Sequence, residues 1–191
     1  MENTNKGKDK TKEINQRGRG NIALLGFMGS GKTTIGQQLA QKVGWQFMDS
    51  DDLIEEKTSL SISLIFERWG EEHFRSLEKV VLEEVASKKN IILATGGGLP
   101  AQEDNWQILR EHFLTIFLQV DFSILYQRIK GDSRRPLLSQ YSTPQELEKL
   151  YQKRLIYYER SDVIINGNRS EEEIVEEILY HEKISSLWRK R

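Results

Sequence analysis

The chain has 191 residues, 28 Lys plus Arg against 29 Asp plus Glu, and no cysteine. That length sets one domain with a core that needs no covalent staple. The missing thiols exclude a disulfide framework, a thiolate zinc site and a cysteine nucleophile. A formal net charge of −1, with 37% apolar and 30% charged residues, argues against a dedicated nucleic-acid or membrane binder. No apolar run nears the roughly 20 residues of a membrane helix. A cytoplasmic, monomeric protein is expected.

Residues 1–20 hold six basic side chains (Lys6, Lys8, Lys10, Lys12, Arg17 and Arg19) and almost no apolar ones. They bury too little to offset their ordering entropy and read as a disordered basic tail. The leading MENTNKGKDK has no apolar stretch and does not read as a secretory signal. From Asn21 onward, apolar runs of strand length fall at about 22–26, 46–48, 91–94, 114–119 and 162–166. Helical patterns fall between and after them, at about 32–43, 61–88 (broken at Gly70), 102–111, 121–130, 144–160 and 171–183. Thr143-Pro-Gln-Glu146 and Ser170-Glu-Glu-Glu173 are capping-box starts. Strands alternating with helices predict an α/β fold, a parallel sheet covered on both faces. Residues 21–183 form the expected domain, and 184–191 a basic C-terminal tail.

The first strand runs into Gly26-Phe-Met-Gly-Ser-Gly31-Lys32-Thr33, a phosphate-binding loop pattern followed by a helical run. Glycines let successive backbone N–H groups ring a phosphate at a helix N-terminus. Gly29, Ser30, Gly31, Lys32, Thr33 and Thr34 are therefore the candidate nucleotide contacts. Lys32 is placed to bridge the outer phosphates, and the Thr33 hydroxyl to ligate Mg²⁺ held with ATP. The Asp-x-x-Gly and Asn-Lys-x-Asp signatures of guanine-nucleotide switches do not occur. The third strand ends in Thr95-Gly96-Gly97-Gly98 without an acid, unlike motor and strand-exchange ATPases. The acids follow the second strand instead, as Asp49-Ser50-Asp51. Small-molecule kinases have that layout.

Six motifs then stand in order: the phosphate loop, Asp49-x-Asp51, Phe74-Arg75-x-x-Glu78, Gly96-Gly97-Gly98, Arg135-Pro136-Leu137-Leu138, and Arg154 with Tyr158. Over roughly residues 21–180 the chain resembles the shikimate kinases. The resemblance implies a three-layer phosphate-loop kinase fold with a five-stranded parallel sheet. It also implies ATP and Mg²⁺ as cofactors, and phosphorylation of shikimate to shikimate 3-phosphate on the route to chorismate and the aromatic amino acids. Carried over by residue, Arg75 and Arg154 match the clamp on the substrate carboxylate, for which guanidinium forks suit. Asp51 matches the acid that meets the attacking hydroxyl, as base or as orienting group. Gly96, Gly97 and Gly98 match the turn against the ring, and Asp49 lies near the metal. Glu78 would hold the Arg75 guanidinium, and Phe66 and Phe74 would line the apolar side of the ring pocket. Residues 130–142 match a mobile lid, with Arg135, preferred over Arg134, reaching the phosphates as a catalytic group beside Lys32 and Asp51. Arg128 and Arg169 match positions flanking the adenine.

Plainer readings exist for several of these. Asp49 and Asp51 also fit a helix cap, and Glu71 and Glu72 read as solvated helix face. The rival functions are another small-molecule kinase, acting on gluconate or a nucleoside monophosphate, and a binding module on a kinase scaffold that has lost catalysis. No nucleic-acid or membrane partner is expected.

Overall fold

The structure, a computed structural model, describes residues 20–130, 141 and 143–188. The expected tail up to residue 19, the lid positions 131–140 and 142 with Arg134 and Arg135, and residues 189–191 lie outside the described residues.

Five strands form one parallel sheet: β1 (Asn21–Leu25), β2 (Gln46–Asp49), β3 (Ile91–Ala94), β4 (Phe113–Gln119) and β5 (Val163–Asn166), in the order β2-β3-β1-β4-β5. Central strands buried on both faces should be apolar throughout rather than alternating. β3 is, and so is β1 after its first residue, Asn21; every residue of both is buried. Successive side chains of β1 nevertheless serve different cores, since a strand points them to opposite faces. Ala23 and Leu25 join one cluster, Ile22 and Leu24 the other.

Among the described residues, seven helices cover the sheet: α1 (Lys32–Val43), α2 (Ser50–Thr58), α3 (Ile62–Ala86), α4 (Glu103–His112), α5 (Phe122–Ile129), α6 (Pro144–Tyr158) and α7 (Glu171–Tyr180). α1 and α7 bury Ile35, Leu39, Ile174 and Ile178 on the face of Ile22 and Leu24. The other five pack on the opposite face, where Ile54, Leu82, Leu109, Leu125 and Tyr151 meet Ala23 and Leu25. The three-layer α/β architecture predicted above is present.

Both capping boxes form: Thr143 and Ser170 accept from the backbone N–H groups of Glu146 and Glu173, whose carboxylates return the bond. Gly70 breaks the long helix as expected, with φ 77° and ψ −178° inside α3. Helix α2 is missing from the expected set. Its apolar residues are only Leu53 and Ile54 in Ser-Asp-Asp-Leu-Ile-Glu-Glu-Lys-Thr, so no helical period announces it. The expected helix at 171–183 stops at Tyr180, and a 3₁₀ turn follows at Ser185–Leu187. Residues 184–188, read as the start of a basic tail, pack instead. Ile184 is fully buried, Trp188 Nε1 donates to Leu179 O at 3.2 Å, and the Trp188 ring meets Trp45 edge-on at 6.0 Å.

The Ser170 cap closes the first turn of α7, which with α1 covers one face of the sheet. Ser170→Ala should cost about 1 kcal/mol. It should be read as a lower urea midpoint at unchanged slope; an unmoved midpoint would show that the cap adds nothing to stability.

Candidate functional site

Parallel strands present all their carboxyl ends on one edge, where ligands of open α/β sheets bind. β1 delivers the phosphate loop there. Gly29 and Gly31 sit at φ 80° and 89°, conformations that a side chain would strain. Gly31 is the N-cap of α1, and that helix start has no side-chain cap and no acid in its first turn. Its first N–H groups and the positive end of its dipole are thus left for an anion. Lys32 folds back over the loop: Nζ donates to Gly26 O and Phe27 O, both at 2.9 Å, and to Ser30 Oγ at 3.3 Å. Ser30 is buried, whereas Thr33 and Thr34 are exposed on the first turn of α1.

β2 delivers the acids. Asp49 caps α2 by accepting from Asp51 N at 3.0 Å through Oδ1, and its Oδ2 accepts from Thr33 Oγ1 at 2.9 Å. The pairing joins the phosphate loop to the β2 end. Two hard oxygen donors at the phosphate position suit Mg²⁺, which usually takes one or two protein ligands and completes its shell with phosphates and water. No cluster of three or more His, Cys, Asp or Glu fit to hold a metal occurs among the described residues, so a metal here depends on the nucleotide as co-ligand. Burial, then the nearby Asp49 and Glu55, pushes the Asp52 carboxyl up. This negative field at the cleft mouth also suits a cation. The cleft, about 370 Å³, runs from Lys32 and Thr33 past Asp49 and Asp51 to Gly96 and Gly97.

β3 delivers the glycine turn, and two arginines converge on it. The Arg75 guanidinium lies against Gly98 so closely that a Cβ there would fall 2.5 Å from one of its nitrogens. Arg154 is 6% exposed, and its NH1 would be 3.3 Å from a Cβ at Gly97. Glu78, 1% exposed, accepts from Arg75 NH1 at 2.7 Å. Asp51 Oδ1 would stand 2.5 Å from a Cβ at Gly96. The structure thus brings Asp51, Arg75, Gly96–Gly98 and Arg154 together around the turn, beside Lys32 and Thr33.

Other expected residues divide. Arg128 reaches the loop, NH1 donating to Gly29 O at 3.1 Å. Arg169 instead donates to Asn166 O at 3.3 Å and pairs with Glu177 of α7. Glu71, read as solvated helix face, is a correction: its carboxylate, although 58% exposed, takes two bonds from Arg75, at 3.1 and 2.6 Å. An i,i+4 pairing from Glu71 to Arg75 was the available signal. Phe66 and Phe74 stack together at 4.7 Å, but Met28 and Ile62 supply the apolar lining of the cleft. Met28 is one of the unspecified positions of the phosphate-loop pattern and Ile62 lies in no motif, so neither was marked. Ser50, fully buried behind the turn, was likewise missed because a serine between two aspartates reads as a linker residue.

Burial pushes the Glu78 carboxyl up to about 7, against the pull of Arg75 and Arg154 and with help from Asp51. The folded protein then holds this proton more tightly than the unfolded chain, whose glutamate titrates near 4.5. Stability from this group is therefore lost as pH rises from about 4.5 through 7. Melting temperatures of wild type and Glu78→Gln should diverge across that window, wild type losing ground as pH rises. A constant difference between them would show that the Glu78 carboxyl titrates alike in the folded and unfolded chain.

Comparison with known proteins gives a consistent result. The family model described as shikimate kinase matches residues 28–182. A shikimate kinase of Persephonella marina is 41% identical over 160 residues, covering 83% of this chain and 96% of its own. One from Rippkaea orientalis is 44% identical over 161 residues, covering 83% and 86%. Among solved structures, the shikimate kinase of Acinetobacter baumannii in complex with shikimate superposes with TM-score 0.81 at 38% identity, covering 88% of this chain and 94% of that one.

Proposed function

The chain belongs to the shikimate kinase family, and from that premise we infer that it transfers the γ-phosphoryl group of ATP to the 3-hydroxyl of shikimate. The observation that carries the reading is the meeting of one carboxylate, Asp51, and two guanidinium groups, Arg75 and Arg154, on one glycine turn. That turn lies in the same cleft as Lys32 and Thr33. A small carboxylic acid bearing ring hydroxyls needs this combination: forks for its carboxylate, and an acceptor for the hydroxyl that attacks.

In the reaction the hydroxyl oxygen bonds to the γ-phosphorus, the bond from that phosphorus to the β–γ bridging oxygen breaks, and ADP leaves. Catalysis of this kind rests on positioning and on charge stabilisation. The loop N–H groups and Lys32 hold the phosphates. Arg75 and Arg154 fix the carboxylate, which turns the ring so that its hydroxyl faces the phosphate. Asp51 accepts the hydrogen bond of that hydroxyl, orients its lone pair and takes its proton as the bond to phosphorus forms. Thr33 and Asp49 would hold Mg²⁺. When bound, Mg²⁺ supplies neutralisation of the phosphate charge. Arg135 is proposed as a lid group acting on the phosphates, and Arg128 and Arg169 as flanks of the adenine. A cytoplasmic monomer acting on small molecules is proposed, and the balanced charge of the chain supports the absence of a nucleic-acid or membrane partner.

Two measurements test this. In a coupled ADP-release assay with shikimate, gluconate and nucleoside monophosphates side by side, shikimate should stimulate turnover far above the others. Equal stimulation by gluconate or a monophosphate would overturn the substrate. Asp51→Asn keeps the size and one acceptor oxygen and leaves the Asp49 cap of α2 in place, so folding and ATP binding should survive. Its kcat should fall about 10²–10⁴-fold. Near-normal kcat in the folded variant would leave Asp51 as a first-turn helix residue only, with the expected capping falling to Asp49 alone.

A further inference from the structure

Two buried hydroxyls hold the glycine turn from opposite sides. Ser50, fully buried at the start of α2, accepts from Gly96 N at 2.7 Å. With its lone pair so engaged, its own proton points to the neighbouring Asp51, whose Oδ1 is 3.4 Å away. Tyr158, fully buried at the end of α6, donates to Gly97 O at 2.6 Å. The same phenol oxygen accepts from Arg154. Each hydroxyl therefore ties one end of the Gly96–Gly97 dipeptide, its leading N–H or its trailing C=O, to a different charged side chain. Ser50 links it to the carboxylate on the hydroxyl side of the site, Tyr158 to a guanidinium on the carboxylate side.

The geometry leaves the turn little freedom of its own. Its residues lack side chains, and Asp51, Arg75 and Arg154 press directly on its backbone at positions 96, 98 and 97. A backbone without side chains has the largest conformational freedom to lose, so its placement must come from the groups bonded to it. We propose that Ser50 and Tyr158 are positioning residues for the acceptor half of the reaction, setting the spacing between Asp51 and Arg154 through the Gly96–Gly97 dipeptide. Neither contacts the phosphate loop in the bonds described, so their effect falls on shikimate and spares ATP. The proposal rests on the function inferred above for its kinetic consequence; the clamp on the turn stands on the hydrogen bonds of Ser50 and Tyr158 themselves.

The experiment has two readouts. Tyr158→Phe removes a single oxygen, and Ser50→Ala another. Each should raise the shikimate KM about three- to tenfold, the loss expected for one buried hydrogen bond, and lower kcat because the hydroxyl is presented off line. The ATP KM should stay within twofold of wild type. Ser50→Thr, which keeps the hydroxyl, should recover most of the loss. Parallel rises in both KM values, or unchanged shikimate kinetics in both variants, would overturn the proposal. The second readout is amide hydrogen exchange at Gly96–Gly98 in the ligand-free protein. Exchange there should quicken in Ser50→Ala and Tyr158→Phe while the amides of β1 and β4 keep their protection. If wild type shows no turnover of shikimate, the functional reading fails by itself. The exchange measurement then decides the clamp: local quickening upholds it, and unchanged or uniformly faster exchange defeats it.

Discussion

Strand register is the constraint on which the site depends. In the parallel ladder Leu24 stands opposite Ala94, and Ala94 opposite Asp49. The last residues of β3 and β2 and the penultimate residue of β1 therefore lie in one row near the sheet edge. Strands in such a ladder are about 4.8 Å apart, so the loops leaving them start within roughly 10 Å of each other. A phosphate loop, an acidic turn and a glycine turn that are tens of residues apart in sequence thus become one cleft. A slip of one residue in β3 would turn its side chains to the other face and displace the glycine turn from Asp51. Apolar burial on both faces fixes the register: Ile92 and Leu93 are each fully buried, in different cores. The packing of the sheet is in this sense the first step of substrate recognition.

Much of this was legible in the sequence because the relevant signals are local. A phosphate loop is a contiguous run whose glycines meet backbone needs, and here Gly29 and Gly31 adopt the positive φ that the pattern implies. Capping boxes are likewise local, and both appeared where they were read. The charged motifs were recognisable through the family resemblance, although Asp-x-Asp or a triple glycine alone says little. What escaped was of two kinds. Helix α2 buries only Ser50 and Ile54, so its period is too weak to see; it is held by Asp49 at its start and by packing on α3. The bonds from Ser50 and Tyr158 to Gly96 and Gly97 span 46 and 61 residues, and no local pattern encodes a partner so distant. The C-terminal segment shows the same limit in reverse. Its charge read as a tail, while Ile184 and Trp188 were already apolar enough to pack against α7 and Trp45.

The charges beneath the turn call for a different explanation from the sheet above them. Arg154, Glu78 and most of Arg75 are withdrawn from water, and buried ion pairs seldom repay their desolvation against apolar replacements of similar size. Stability alone does not account for them. The upward displacement of the Glu78 carboxyl shows the cost directly: burial outweighs the attraction of a guanidinium at 2.7 Å. Such a network gains its value when another charge arrives. Guanidinium groups already stripped of water and oriented by Glu78, Glu71 and Tyr158 have little left to reorganise when they meet a carboxylate, and preorganised groups in a dry site act more strongly than solvated ones. The cation faces of Arg75 on Phe74 at 5.5 Å and of Arg154 on Phe27 at 5.7 Å extend that support from the apolar side. Phe27 belongs to the phosphate loop itself, so the ring that steadies the Arg154 guanidinium also lies in the turn that leads into α1. The two halves of the cleft are therefore joined by packing as well as by the Thr33–Asp49 bond, and a shift in either is felt in the distance between donor and acceptor.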